Sequence, residues 1–167
     1  ILVGLVGSEM CIRDSYHTDS SDIVGLLCLK KSKSGGLSSI VSTTTVYNEM
    51  LKQRPDLAAV LTQPVYRTRW GEVPEGRKPY YGTAPFSVVN GRVICTYVRS
   101  ATRKAQLMDV VPRITPEQEE AMDLFDALAN DESLHLDMQF EPGDMQWVCN
   151  HSICLLYTSP SPRDLQG

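Results

Sequence analysis

Apolar and polar positions alternate with different periods along the chain, and the changes of period mark its elements. Ile23 to Leu29 is a short, nearly continuous apolar run, as a buried strand makes. Lys30 to Ser34 is polar, and Gly35-Gly36 marks a turn. Leu37 to Ser42 is small and β-leaning and predicts a second strand. Thr43, Thr44 and Thr45 can cap a helix in which Val46, Tyr47, Met50 and Leu51 recur at helical spacing, and Arg54-Pro55 ends it. Pro55 to Leu61 predicts a short second helix with proline in its first turn. Gln63 to Pro85 carries no period. Phe86 to Val89 and Val93 to Val98 flank Asn90-Gly91, the strongest short hairpin signal. Thr115-Pro116-Glu117-Gln118 combines a capping residue, proline at the first helical position and a capping-box glutamine. Ala121, Met122, Phe125, Leu128 and Ala129 form the apolar stripe of the helix that follows. The period then drops to two. Leu134, Leu136, Met138 and Phe140 alternate with His135, Asp137, Gln139 and Glu141, which predicts a half-buried strand with the histidine and aspartate on its solvated face. Pro142-Gly143 turns the chain into a last strand, Met145 to Cys149.

Short strands with helices inserted between them predict a mainly β, α+β fold of the jelly-roll or cupin-like kind. Strict strand-helix alternation is missing, which disfavours a doubly wound sheet. The chain has 167 residues and 42% hydrophobic content, enough for one domain with a packed core. A formal charge of -4 gives no reason to expect nucleic acid or an anionic membrane as partner. No apolar run is long enough to span a bilayer. Five cysteines, an odd number without framework spacing, fit reduced thiols and a cytoplasmic location. Cys28, Cys95 and Cys149 are expected as small core hydrophobes.

The two ends are related to each other in an unusual way. Ser8-Glu9-Met10-Cys11-Ile12-Arg13-Asp14 is encoded by TCGGAGATGTGTATAAGAGAC, and the reverse complement of that string, read from its third base, encodes Leu155-Leu156-Tyr157-Thr158-Ser159-Pro160. Two peptides on opposite strands of one DNA sequence resemble translated library adapter. Segments 1–15 and 154–167 are therefore expected to be non-native, and 16–153 to be a partial native domain.

The candidate chemistry sits in Tyr16-His17-Thr18-Asp19-Ser20. In an extended segment residues i and i+2 face the same way, so His17 and Asp19 can reach one point. An imidazole and a carboxylate supply two ligands of the facial triad that leaves open positions on non-haem Fe(II). His135-Leu136-Asp137 repeats the spacing, but its alternation assigns those two side chains to water. His17 and Asp19 precede a buried strand, where an unpaired carboxylate is costly.

The His-x-Asp with its apolar strand, Gly35-Gly36-Leu37-Ser38, and Phe140-Glu141-Pro142-Gly143-Asp144 running into Asn150-His151 together resemble the TauD/TfdA family of Fe(II)/2-oxoglutarate-dependent dioxygenases. The resemblance implies an incomplete double-stranded β-helix, His17 and Asp19 as proximal iron ligands, and Ser38 beside the carboxylate of 2-oxoglutarate. It implies Fe(II) as cofactor, with 2-oxoglutarate and O2 consumed as a small-molecule substrate is hydroxylated. The family's distal histidine should fall at position 155 in a Leu-His pair, but Cys154 and Leu155 stand there. The family's oxoglutarate-binding arginine would lie further on. His151 is expected to be an ordinary residue near the site, and a chain with two ligands is expected to be inactive.

Gln63 to Pro85 is either a solvated loop or a substrate-covering lid, with Tyr66, Arg69 and Trp70 as the candidate lid residues. Arg67, Arg69 and Arg77 could pair an anionic substrate group, although loop arginines are more often solvated. Two further functions compete. In one, His17 and Asp19 only hydrogen-bond inside a non-catalytic cupin-like binding module. In the other they hold a hydrolytic Zn(II), which the lack of HExxH or paired-histidine spacing disfavours. Substrate and oligomeric state are not legible.

Overall fold

The computed structural model of the protein describes residues 15–31, 36–69 and 71–157. Its order is β1 (Ile23–Leu27), β2 (Leu37–Ser42), α1 (Thr43–Gln53), α2 (Pro55–Val60), β3 (Val65–Thr68), β4 (Tyr80–Thr83), β5 (Phe86–Val89), β6 (Arg92–Cys95), α3 (Arg99–Ala105), α4 (Pro116–Ala129), β7 (His135–Gln139), β8 (Met145–Cys149) and β9 (Ile153–Tyr157). All pairings between these strands are antiparallel. β2 is the centre of a sheet ordered β7-β2-β9, and β1 pairs with β8 as a separate ribbon. β3-β4 and β5-β6 are hairpin-like pairs. Among the described residues no helix is long and apolar enough to cross a membrane.

α4 starts as its sequence dictates. The Thr115 hydroxyl accepts from Gln118 N–H at 3.2 Å, and the Gln118 side chain accepts from Thr115 N–H at 3.0 Å. α1 is capped one residue earlier than expected: Ser42, not a threonine, accepts from Thr45 N–H. The β5-β6 turn takes Asn90 and Gly91 at φ +50° and +75°, as a tight hairpin of this chemistry requires. Val46 and Met50 of α1, Leu57 and Ala58 of α2, and Met122 and Phe125 of α4 pack into one core with Phe86, Tyr97, Val41 and Cys154. Tyr97 stacks on Phe125 at 4.0 Å. Each such large apolar side chain contributes about 1.5–3 kcal/mol by leaving water.

Several expectations are corrected. The segment from Gln63 to Pro85 is not wholly irregular, because β3 and β4 pair within it. Val93 to Val98 is a strand only as far as Cys95, and α3 follows from Arg99. β7 departs from its expected orientation at His135: Leu136 is 58% exposed and the His135 side chain only 13%, whereas Asp137 is exposed as expected. The register explains this. His135 and Asp137 lie opposite Val41 and Ser39, on the face that meets the helices, with Tyr16 over the His135 ring at 5.9 Å and the Ser39 hydroxyl donating to Asp137. Alternation identified two faces but not which one the helices cover. Of the cysteines, Cys95 is buried as expected, Cys28 is half-buried and Cys149 is exposed.

The β1-β8 ribbon keeps an apolar outer surface. Ile23, Leu27, Met145 and Trp147 are all more than half exposed, and Trp147 lies across Gly25, where a Cβ would meet its ring at 2.6 Å. That glycine is a close approach, opposite Trp147 in the register.

Candidate functional site

The segment before β1 is extended and held at both edges. Thr18 N–H donates to the Tyr97 carbonyl at 2.8 Å, and Tyr97 N–H donates to Thr18 Oγ1 at 2.9 Å. Thr18 thus faces inward while its two neighbours face the other way, as the period of two requires. On the opposite edge His17 N–H donates to the Leu155 carbonyl at 3.1 Å, and Leu155 N–H donates back to the His17 carbonyl at 2.9 Å. Residues that exchange both main-chain hydrogen bonds lie directly opposite each other, with side chains on the same face. Position 155 is therefore the cross-strand neighbour of His17.

His17 is buried, and its Nδ1 lies 3.0 Å from the Ser15 carbonyl. A proton on Nδ1 makes that hydrogen bond and leaves Nε2 with its lone pair, 3.8 Å from Asp19 Oδ1. Two ligands of one first-row ion, each at about 2.1 Å, are at most about 4.2 Å apart, so this pair can share a cation. Asp19 is placed by its own backbone. Its N–H donates to Asn150 Oδ1 at 2.7 Å, and Asn150 Nδ2 donates to its carbonyl at 2.5 Å. Asn150 is fully buried and makes an amide clamp, the most direct control on the carboxylate's position. Among the described residues no three His, Cys, Asp or Glu side chains gather as a metal site.

Asp19 opens onto a cleft of about 380 Å³ that is also lined by Thr18, Arg67, Thr68, Tyr81 and His151. His151 hydrogen-bonds through Nε2 to Asp22 at 2.8 Å, so that nitrogen is engaged away from Asp19. Ser38 is buried on β2, donates to Gln146 Oε1 at 3.0 Å, and is cross-strand from Tyr157. Burial, and then the Asp19 carboxylate, push the Tyr157 phenol up, so Ser38, Tyr157 and Asp19 are neighbours. Of the candidate lid residues, Tyr66 packs edge-on against Tyr80 at 5.7 Å, and Arg69 lies 4.7 Å from the Tyr81 ring and donates to the Lys78 carbonyl. Neither lines the cleft; Arg67 and its cross-strand partner Tyr81 do. Trp70 lies outside the described residues. Sequence marks Asn150 as part of the motif that ends at His151, but neither its amide clamp nor the Thr18–Tyr97 exchange has a local signal.

Tyr97 and Arg99 brace the site from behind. The Tyr97 hydroxyl donates to Asp126 Oδ1 at 2.8 Å, and Arg99 meets Asp123 at 2.6 Å, Asp126 at 3.1 Å and Glu119. Burial raises the Asp126 carboxyl and pushes the Tyr97 phenol well above its ordinary range.

Residues 9–154 match the model of the family described as taurine catabolism dioxygenase TauD, TfdA family. The chain is 35% identical over 139 residues to FR-33289 synthase of Streptomyces rubellomurinus, covering 80% of this chain and 39% of that protein. It is 30% identical over 142 residues to the taurine hydroxylase-like protein SAT17 of Stachybotrys chartarum, covering 83% of this chain and 35% of the relative. The chain thus spans less than half the length of either. Its fold is similar to that of asparagine oxygenase in complex with Fe(II), 2S,3S-3-hydroxyasparagine and succinate, with a TM-score of 0.63, 16% identity, and coverage of 90% of this chain and 46% of that one. It is also similar to AAD-2 in complex with Mn(II) and N-oxalylglycine, with a TM-score of 0.64, 14% identity, and coverage of 89% and 59%.

Proposed function

The chain belongs to the TauD/TfdA dioxygenase family, and from that premise we propose that the intact enzyme is an Fe(II)- and 2-oxoglutarate-dependent dioxygenase of a small molecule. His17 and Asp19 serve as two iron ligands and position 155 as the third. The observation that carries this reading is the antiparallel bridge between His17 and residue 155. A histidine there would project from the same face as His17, beside the Asp19 carboxylate. With Leu155 in place, two ligands remain, and the chain as given binds Fe(II) weakly and does not turn over.

Iron with 2-oxoglutarate supplies C–H hydroxylation coupled to oxidative decarboxylation. The protein's part is positioning. The Ser15 carbonyl fixes the His17 tautomer so that Nε2 is the ligand. The Asn150 clamp holds Asp19 without using its carboxylate oxygens. Ser38 offers a buried hydroxyl for the co-substrate carboxylate, through exchange of its bond to Gln146. The segment from Gln63 to Pro85, which carries Tyr66, Arg69 and Trp70, would cover a bound substrate. The free thiols of Cys28, Cys95 and Cys149 fit a reducing cytoplasm.

The DNA relation between the two ends supports residues from 154 onward, and those before 16, as adapter translation. β9 is compatible with that, since its ladder to β2 is made by main-chain groups that any non-proline residue supplies. The source gene read unbroken across codons 153 to 156 tests this: a Leu-His pair at 154 and 155 is expected. Cys-Leu in the gene itself would favour a non-catalytic cupin-like binding module. In the intact enzyme His17→Ala should abolish iron-dependent decarboxylation of 2-oxoglutarate; unchanged turnover would remove His17 from the ligand set.

A further inference from the structure

Arg67 is 7% exposed, yet among the described residues no hydrogen bond or ion pair reaches its guanidinium, and its Nε is fully enclosed and unsatisfied. The chain treats its other buried arginine differently, since Arg99 meets three carboxylates. A guanidinium taken out of water without a counter-ion costs several kcal/mol. Arg67 lies on the wall of the cleft onto which Asp19 opens. Burial pushes its pKa down, the direction expected of a cation without a partner, although Tyr81 opposes this.

The ribbon also fixes where this cation points. Arg67 is directly cross-strand from Tyr81, and its guanidinium carbon lies 5.4 Å from that ring. Arg69 lies on the same ring at 4.7 Å, so the tyrosine meets two cations. Two further carboxylates, Asp19 and Asp22, line the cleft, but neither reaches Arg67 within 4.0 Å. What the position lacks is an oxyanion delivered from outside.

We infer that Arg67 is the specificity residue of the cleft, and that it receives the carboxylate, sulfonate or phosphonate group of an anionic substrate through its planar fork while Tyr81 holds it in place. This deepens the oxygenase reading and rests on it in taking the cleft beside His17 and Asp19 as the place of reaction. A volume of about 380 Å³ suits a small acid and not a polymer.

The test is a binding titration of the full chain that needs no turnover. Butyrate, propanesulfonate and propylphosphonate are added in turn, with butyramide as the neutral control, and the arginine Nε–Hε resonances are followed by NMR. At least one anion should shift the Arg67 resonance saturably, and butyramide should leave it still; the order of the three anions identifies the headgroup. Arg67→Met should weaken that anion by about tenfold or more, with Arg67→Lys intermediate because lysine lacks the fork. If circular dichroism shows that either variant misfolds, the wild-type resonance decides alone. No shift with any anion, an equal shift with butyramide, or displacement of the probe from Arg67 by 2-oxoglutarate would overturn the assignment. The oxygenase reading stands or falls separately, on turnover by the intact enzyme.

Discussion

Leu155→His should convert a two-ligand site into a three-ligand one, and the structure sets both the loss and the gain. Leu155 is fully buried, so replacing it removes an apolar side chain worth about 1.5–3 kcal/mol and encloses an imidazole with one nitrogen short of a partner, at about 1–3 kcal/mol. Part of the ring's own apolar surface offsets this. Without metal the variant should be about 2–4 kcal/mol less stable than the parent chain. With metal the gap should narrow. Rearranging the groups behind a ligand already changes metal affinity 10- to 100-fold, so a direct ligand opposite His17 should tighten Mn(II) by at least about tenfold. With Mn(II) well above both Kd values, a tenfold difference in affinity is worth about 1.4 kcal/mol, so metal should recover at least about a third of the loss. Thermal unfolding with and without Mn(II), under anaerobic conditions, reads both effects in one experiment. Leu156→His is the control, because residue 156 pairs with Ser39 and faces the helices. Equal tightening by the two variants, or none by Leu155→His, would refute the claim that position 155 completes the site.

Asn150→Ala leaves the Asp19 N–H and carbonyl without their clamp and should destabilise the fold by about 2–4 kcal/mol in urea titration. In an enzyme with a complete site it should also weaken metal binding. Arg99→Met strands the carboxylates of Glu119, Asp123 and Asp126 and should cost about 3–5 kcal/mol; a loss below about 1 kcal/mol would show that the cluster is no more than a surface network. The Tyr97 phenol is raised in the fold above its ordinary value of 10, first by burial and then by Asp126. Its contribution is fully present below pH 10 and is lost as pH rises from there toward the folded value. Unfolding free energies measured from pH 9 to 11 should fall, and Tyr97→Phe should flatten that slope.

The parts legible in the sequence are those whose signals are local. The capping box of α4, the Asn90-Gly91 hairpin and the convergence of His17 and Asp19 each follow from spacing within a few residues. α3 has no local signal because Arg99 to Ala105 has no apolar period, and only a distant acidic helix makes the burial of Arg99 favourable. The β3-β4 ribbon was hidden because its hydrogen bonds join strands separated by a long loop rich in Gly and Pro. In β7, period two fixes the alternation but not which face the helices cover, so the burial of His135 is not legible. Sequence names Arg67, Arg69 and Arg77 alike as cations of one loop, and only the pairing of Arg67 with Tyr81 places one of them on the cleft wall.

The amide clamp on Asp19 also constrains the order in which the protein is made. Asn150 lies 131 residues after Asp19. At ribosomal rates of about 5–20 residues per second, His17, Asp19 and the open edges of β1 and β2 wait roughly 7 to 26 s for their partners to be synthesised. The His17–Asp19 segment is thus translated well before the partner that gives it its shape. Contacts of such long sequence separation make folding slow, and the nascent chain is a natural client for a chaperone that shields strand edges until β8 and β9 emerge.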